Sequence, residues 1–240
     1  MSSSLYVALS AQIAMDRRLT TIANNVANMN TPGFRAEQVR FETVMSQAGG
    51  HSVAYSSAGE SYTSLTAGQV SYTANPLDVA VEGKGWFAVQ TPNGVAYTRD
   101  GRMRMSPEGQ LRSVNNYPIL DAGGSPLAMD PAGGVVRIGT DGSMSQGGKP
   151  IGSVGVFAIP HGVALKRFDN ATVIPEKPAS LVQDFTANKV RQGYVEGANV
   201  DPVMEMSRLI TVQRAFEMAA AAVSQNEDAT SSAIRQLGPS

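Results

Sequence analysis

The 240-residue sequence contains no cysteine, which excludes disulfide bonds, thiolate zinc sites and cysteine nucleophiles. It has only two histidines, His51 and His161, and each lies beside a glycine with no second histidine at metal-ligand spacing. A G-x-S-x-G nucleophile elbow is also missing from the sequence. We therefore predict no metal site and no cofactor, and we expect both imidazoles in solvated loops.

The sequence also has no large excess of positive or negative charge and no long apolar run. The 19 basic and 20 acidic side chains give a net charge of -1, and no block of lysine or arginine occurs, which argues against a nucleic-acid partner. The N-terminus has no basic segment, and Asp16-Arg17-Arg18 interrupts its apolar residues, so no cleavable signal peptide is predicted. The longest apolar run, near residues 218–223, is too short for membrane insertion.

The N-terminal residues repeat with a helical period. Apolar side chains recur at steps of four and three residues, with Gln12 as the polar exception: Met1, Leu5, Ala8, Met15, Leu19, Ile22, Val26 and Met29. Pro32 and Gly33 then prevent the helix from continuing. We predict one long amphipathic helix, which needs a partner because it cannot bury its apolar stripe alone.

Four asparagines cluster where this helix ends: Asn24, Asn25, Asn28 and Asn30. They either form a solvated helix end or use their side-chain amides to bind neighbouring subunits and fix register. Both interpretations remain open from the sequence.

A second helical segment begins at Asp201-Pro202, which is an N-cap followed by proline at the first helical position. Its apolar stripe starts with Leu209, Val212, Phe216, Ala219 and Val223 and becomes polar at Asn226 and Thr230. Two such stripes at opposite ends predict that residues 1–34 and 201–240 pair as a coiled-coil-like inner domain. The pairing is expected to be marginal alone, so neighbouring copies would complete the burial.

The segments between the helices differ in composition. Residues 35–74 are rich in Ser, Gly, Thr and Ala, which predicts a linker or an extended arm along another surface. Residues 75–200 alternate short β-type runs with glycine-rich turns, which predicts an outer all-β domain of short antiparallel strands. Asp100-Gly101 predicts a hairpin turn within that domain. The fold class expected for the whole chain is α+β.

Three patterns in the β region could in principle form a binding or catalytic site. The G-x-G-x-x-A spacing at residues 83–88 leads into a β-type run rather than a helix, so we interpret it as a turn before a strand, with Trp86 and Phe87 in the core. Four carboxylates allow a glycosidase-type acid and base, although solvated charges are commoner: Asp78, Glu82, Asp100 and Glu108. Four arginines predict a basic patch that is either solvated or bound to an acidic neighbour: Arg99, Arg102, Arg104 and Arg112.

Three motifs in order resemble the flagellar basal-body rod proteins, and among them the proximal-rod type. Residues 23–35 match the pattern A-N-N-x-A-N-x-N-T-x-G-F-[KR]. Residues 75–83 and 97–101 resemble the β-domain signature of this family, and residues 199–201 and 213–217 its C-terminal helix motif. The sequence departs from the family pattern at Lys84, Trp86 and Ala198, which affects local turn contacts only.

This resemblance implies a non-enzymatic axial subunit of the periplasmic rod, exported unfolded by the flagellar type III apparatus. The implied partners are copies of itself, the proximal and distal rod proteins and the export apparatus, with a contact to peptidoglycan or a ring through the arginine patch as an additional hypothesis. We expect the assembly interface to comprise the helical stripes and the asparagines: Leu5, Leu19, Ile22, Asn24, Asn25, Val26, Asn28, Asn30, Leu209, Val212, Phe216 and Val223.

Two rival functions remain open from the sequence. A cell-wall hydrolase would need a carboxylate pair about 5–9.5 Å apart in an open groove. A secreted adhesin would use the helices only to oligomerise, and it would bind host glycans rather than rod proteins.

Overall fold

The computed structural model describes the backbone of residues 2–41, 43–46, 53–57 and 59–237. Within these residues a helix lies at each end of a β-rich middle, α1 at Ser2–Ala27 and α2 at Pro202–Leu237. Both predicted helices are confirmed, and the Asp201 carboxylate caps α2 by accepting hydrogen bonds from the backbone N–H groups of Val203 and Met204 at 3.0 and 3.1 Å.

Nineteen short strands connect the two helices in the described residues. Their bounds are β1 Glu37–Arg40, β2 Thr43–Ser46, β3 Val53–Ser56, β4 Glu60–Thr63, β5 Val70–Tyr72, β6 Val79–Glu82, β7 Gly85–Thr91, β8 Gly94–Thr98, β9 Met103–Met105, β10 Leu111–Ser113, β11 Val136–Ile138, β12 Ser143–Gln146, β13 Lys149–Ser153, β14 Val156–Ala158, β15 Leu165–Arg167, β16 Thr172–Pro175, β17 Ser180–Leu181, β18 Lys189–Gln192 and β19 Tyr194–Glu196.

The chain divides into two compact units. The first contains residues 1–27, 37–64 and 201–240, and the second contains residues 28–36 and 65–200. The first unit therefore combines both helices with strands β1 to β4, which lie in the range where the sequence predicted an extended arm. Strand β1 pairs with β4 and β2 pairs with β3, both antiparallel.

The predicted coiled-coil-like domain is wrong, although the α+β class remains appropriate. Helices α1 and α2 contact each other, but a long coiled-coil pairing is not present in the described part of the chain. Sustained knobs-into-holes packing needs apolar residues at nearly every seam position. In the sequence, Gln12, Asn226 and Thr230 interrupt the two apolar stripes. In the structure, strands β1 and β3 contact part of the surface of α1.

The second unit is built around a six-stranded antiparallel sheet in the order β15-β16-β8-β7-β14-β17. Strand β7 is buried on both faces, because Phe87 and Val89 point into one apolar cluster while Trp86 and Ala88 point into another. This confirms the core assignment of Trp86 and Phe87. It also confirms that residues 83–88 lead into a strand and do not open a helix.

The predicted hairpin at Asp100-Gly101 is wrong. Strand β8 pairs with β7 and β16, whereas β9 pairs with β10, so the dipeptide connects two different sheets. Glycine is needed here for a close approach, because a Cβ atom on Gly101 would lie 1.6 Å from the carbonyl oxygen of Val79. No helix in the described residues is both long and apolar enough to span a bilayer.

Candidate assembly surface and buried charge cluster

Helix α1 places its predicted interface residues on the side that packs within the first unit. Ile22 is buried, and Leu19 and Val26 are half-buried. The side chain of Leu5 lies outside the described residues. Among the described side chains, the predicted stripe of α1 is therefore buried at Ile22 and retains exposed surface at Leu19 and Val26.

Helix α2 carries apolar side chains outside the predicted stripe as well as within it. The predicted stripe faces inward, with Val212 buried and Leu209, Phe216 and Val223 half-buried. The other face, which we call the outer face, exposes Val203, Met206, Ile210 and Met218 to solvent. Ile210 and Val212 are two residues apart, so they lie about 200° apart around a helix with 3.6 residues per turn. The inward stripe cannot cover the outer face.

The asparagines do not behave as one cluster. Asn24 and Asn30 are exposed, while Asn25 and Asn28 are buried. The Asn25 amide accepts a hydrogen bond from the N–H of Glu37 at 2.9 Å and donates one to the carbonyl oxygen of Glu37 at 2.8 Å. Asn25 thus holds β1 within its own subunit by the pair of backbone hydrogen bonds that a neighbouring strand would otherwise make. Its amide is therefore not available to another subunit.

The second unit contains a buried charge cluster of Arg35, Arg99 and Glu196. A Glu196 oxygen lies 2.6 Å from an Arg35 guanidinium nitrogen, and the other lies 3.6 Å from Nε of Arg99. Each arginine also lies over the Trp86 ring, at 5.7 and 5.6 Å from its centroid. All three charged side chains are at most 2% exposed, so the cluster is removed from water.

Backbone groups complete the surroundings of the cluster. Arg35 donates to the carbonyl oxygen of Thr66, Arg99 donates to that of Val81 at 2.8 Å, and the Gly68 N–H donates to Glu196 at 2.9 Å. Asn199 links the same segments, because its amide accepts from Ala36 N–H at 2.6 Å and donates to Thr66 at 2.7 Å. Segments from distant parts of the chain therefore meet at one buried carboxylate.

Burial changes the pKa values of the two arginines. Desolvation lowers the pKa of Arg35, and the charge and hydrogen bonding of Glu196 oppose this effect. Desolvation lowers the pKa of Arg99 to about 10, with Glu196 raising it and the like charge of Arg35 lowering it further. Two cations thus share one anion in a low-dielectric site, and Glu196 is the residue on which the cluster depends.

The predicted arginine patch is wrong for Arg99, which is buried because it is a partner of Glu196. Arg102 pairs with Asp100 at 2.7 Å. Arg104 and Arg112 face each other as cross-strand neighbours on β9 and β10, and they donate hydrogen bonds to backbone carbonyl oxygens. Like charges that lie directly opposite each other in a sheet disfavour the strand pairing.

The carboxylates and histidines that the sequence analysis considered for chemistry lie in ordinary structural surroundings. Asp78 accepts a hydrogen bond from Asn75 at 2.9 Å, and Glu82 pairs with Arg191 at 2.7 Å, while Glu108 is exposed. His161 lies in an exposed turn, and His51 lies outside the described residues. In the part of the chain that the structure describes, no three His, Cys, Asp or Glu residues are grouped to hold a metal ion.

Sequence reasoning missed Glu196 and the outer face of α2. The Gly68 N–H that binds Glu196 is 128 residues away in the chain, so no local pattern identifies the pairing. The outer face had a signal, because Val203, Met206 and Ile210 recur at steps of three and four residues beside the recognised stripe.

Comparison with known proteins identifies the family. Residues 5–35 match the family described as "Flagella basal body rod protein", residues 80–146 the "Flagellar hook protein FlgE/F/G D1 domain", and residues 191–236 the "Flagellar basal body rod FlgEFG protein C-terminal". The flagellar basal-body rod protein FlgF of Mesorhizobium japonicum is 47% identical over 99% of both chains. FlgF of Rhizobium meliloti is 39% identical over 100% of both. The rod protein FlgG of Bacillus subtilis is 28% identical over 90% of this chain and 92% of its own.

Fold and sequence together define a class of structural subunits with terminal helices and a β-rich middle. The chain belongs to the family of flagellar basal-body rod proteins. The resemblance found in its motifs, including the likeness to FlgF, is confirmed, and the chain is a structural subunit of the basal-body rod.

Proposed function

We propose that this chain is a non-enzymatic axial subunit of the periplasmic rod, the drive shaft that carries motor torque to the hook and filament during motility. It assembles with copies of itself and with proximal and distal rod proteins. The observation that carries this proposal is the outer face of α2, on which four large apolar side chains are exposed: Val203, Met206, Ile210 and Met218. Large apolar side chains that are exposed along one side of a helix mark an interaction site.

Energetics favour several neighbours over a single partner. Complete burial of four such side chains yields roughly 6–12 kcal/mol at most. Association costs about 4–15 kcal/mol in lost rigid-body freedom, so a single contact of this size is marginal. A subunit surrounded by several others on a rod axis sums several contacts. We therefore expect the subunit to bind a single free partner weakly and to be held stably once several neighbours surround it.

The half-buried inward residues extend the proposed interface. Leu209, Phe216 and Val223 retain exposed surface in the single subunit, so neighbouring helices can complete their burial. We therefore propose that α1 and α2 take part in the contacts between subunits along the rod axis. The export apparatus is the proposed route across the inner membrane, and the absence of cysteine prevents disulfide formation during transit.

A contact with peptidoglycan or a surrounding ring remains part of the proposal. The facing pair Arg104 and Arg112 supports it, because an acidic polymer would relieve their mutual repulsion. Replacement of both by serine should leave rod assembly intact and reduce retention of the purified chain on peptidoglycan. Unchanged retention would remove this contact from the proposal.

The central test replaces Ile210 by aspartate in a strain that lacks the wild-type chain. A buried unpaired carboxylate is costly in an interface, so the variant should be missing from isolated basal bodies and the cells should not swim. The matched control is Val135→Asp, since Val135 is exposed on the second unit. Normal incorporation of Ile210→Asp would contradict the proposed surface.

Hydrogen exchange provides a second test without mutation. Amides of α1 and α2 should exchange more slowly in isolated basal bodies than in the purified monomer, because assembly orders and covers both helices. Equal protection in the two states would mean that the helices are complete before assembly. Release of soluble fragments from peptidoglycan by the purified chain would instead support the hydrolase alternative.

A further inference from the structure

We propose that the first unit contains two complementary surfaces through which identical copies bind head to tail. One surface, the donor stripe, consists of Leu9, Ile13 and Asp16 on α1. The other, the acceptor groove, lies between α1 and α2 and is distinct from the outer face. The proposal deepens the proposed function, on which it rests, by naming a second copy of this chain as the occupant of the groove.

The donor stripe is an exposed apolar ridge with an acidic end. Its three positions step by four and three residues, so they lie on one face of α1. Leu9 and Ile13 are 43% and 52% exposed, and Asp16 is also exposed. About half of the surface of each of these branched aliphatic side chains is left exposed.

The acceptor groove has an apolar floor and a basic rim. Met15, Met204, Val212 and Ala215 provide apolar lining, while Arg18 and Arg208 stand at the rim. Its cavity has a volume of about 200 Å³. A dry apolar cavity of about 150 Å³ holds a benzene molecule, so this groove has room for a branched aliphatic side chain. The flexible methionines can adjust to the shape of what enters.

The charges of the two surfaces are complementary. Arg208 is already paired with Glu205 at 2.6 Å, which leaves Arg18 as the rim charge that attracts an incoming carboxylate. The donor stripe supplies such a carboxylate at Asp16. Exposed ion pairs contribute at most about 1 kcal/mol, so insertion of Ile13 provides most of the affinity. The charge pair selects the orientation in which the stripe enters.

The donor and the acceptor cannot satisfy each other within one chain. Asp16 and Arg18 are two positions apart on α1, so their side chains point to different sides of the helix. A contact between different surfaces of identical subunits is heterologous, and repetition of such a contact gives an open helical series rather than a closed dimer. An open series is the geometry that growth along an axis requires.

Cysteine cross-linking tests the contact directly, because the chain has no native cysteine. The test variant combines Ile13→Cys on the donor stripe with Met204→Cys at the acceptor groove. Under mild oxidation in cells that assemble flagella, this variant should form a ladder of covalent multimers. Each single-cysteine variant should remain monomeric. The matched control combines Ile13→Cys with Met218→Cys on the outer face, and it should give no ladder.

Charge reversal tests the direction of the contact. Asp16→Arg alone and Arg18→Asp alone should each reduce the cross-linked fraction of the double-cysteine chain roughly fivefold, the largest effect that an exposed ion pair supports. When the two variants are expressed together, each donor can meet an opposite charge on the other variant. The cross-linked fraction should then recover, which a purely structural effect of either substitution would not allow.

Four outcomes would overturn the proposal. Normal incorporation into basal bodies without a ladder would show that the two surfaces do not meet, while the proposed function stands. Dimers formed by Ile13→Cys alone would indicate a two-fold contact. Cross-linking of Ile13→Cys to a different rod protein would identify another occupant. Failure of mixed charge variants to recover would exclude the ion pair. Absence of the wild-type chain from basal bodies would instead overturn the proposed function.

Discussion

A carboxylate oxygen of Glu196 lies 2.6 Å from a guanidinium nitrogen of Arg35, and both side chains are almost completely buried. Arg35 follows α1 closely in the chain, and Glu196 shortly precedes α2. The backbone strengthens the link, since Gly33 N–H donates to the Glu196 carbonyl oxygen at 2.8 Å. The β-rich unit therefore incorporates the end of the N-terminal motif as one of its own parts.

Replacement of Glu196 by glutamine should destabilise the second unit severely. The change leaves two buried arginines without a counter-charge, and loss of one partner from a buried ion pair costs about 3–5 kcal/mol. Urea unfolding of the purified chain measures this cost. Glu82→Gln is the control, because the Glu82–Arg191 pair is largely exposed and its loss should change little. Equal effects of both substitutions would contradict the central position of Glu196.

Tyr97 should ionise at a higher pH than a tyrosine side chain that is free in water. Burial raises the pKa of Tyr97, and a backbone hydrogen bond at Ala179 opposes this effect only in part. Because the folded-state pKa lies above the unfolded one, the stabilising contribution is complete below pH of about 10 and is lost as pH rises above it. An ultraviolet titration of tyrosinate should show a late step that Tyr97→Phe removes. A late step that persists in this variant would assign it to another residue.

The Asn25 side chain should be required as both donor and acceptor. Asn25→Asp keeps the shape but loses the N–H group that binds the Glu37 carbonyl oxygen, and it places a carboxylate against that oxygen. We expect a loss of about 1–3 kcal/mol and faster hydrogen exchange of the Glu37 amide. Asn30→Ala is the control, since Asn30 is exposed. If Asn25→Asp behaves like Asn30→Ala, the amide does not hold β1.

Gly101 should tolerate no side chain. Alanine there would place a Cβ atom 1.6 Å from the Val79 carbonyl oxygen, so the backbone must move and the overpacking costs about 1–3 kcal/mol or more. Gly123→Ala provides the control, because the nearest atom to its Cβ would be an Asp121 carboxylate oxygen at 3.3 Å. Thermal unfolding distinguishes the two. Equal midpoints would show that residues 100–101 adapt without cost.

Phe216 should matter more in the rod than in the single subunit. It is half-buried, so Phe216→Ala costs the monomer less than the roughly 3–5 kcal/mol that truncation of a fully buried phenylalanine costs. Incorporation of the variant into basal bodies should fall more than monomer stability suggests. Met218→Ala tests the outer face in the same assay. Wild-type rod formation by Phe216→Ala would exclude it from the interface.

Local signals in the sequence were sufficient for the helices and for the β-rich character of residues 75–200. The Asp201-Pro202 start and the stripes with a helical period gave both helices, because capping and amphipathicity act within a few residues. The hairpin predicted at Asp100-Gly101 was wrong because turn propensity is a local property. The pairing of β8 with β16 depends instead on the packing of strands that are distant in the chain.

The sequence by itself determined the two terminal helices and the core positions Trp86 and Phe87, since short-range propensities and apolar spacing encode them. The resemblance to the family came from its motifs. Only the tertiary structure decided that Arg99 is buried beside Arg35, that Asn25 binds β1, and that α2 exposes a second apolar face. Each of these depends on which distant segments become neighbours. A charged or apolar side chain has the same local pattern whether it is paired, buried or left for another subunit, so its role is fixed only when the chain is folded.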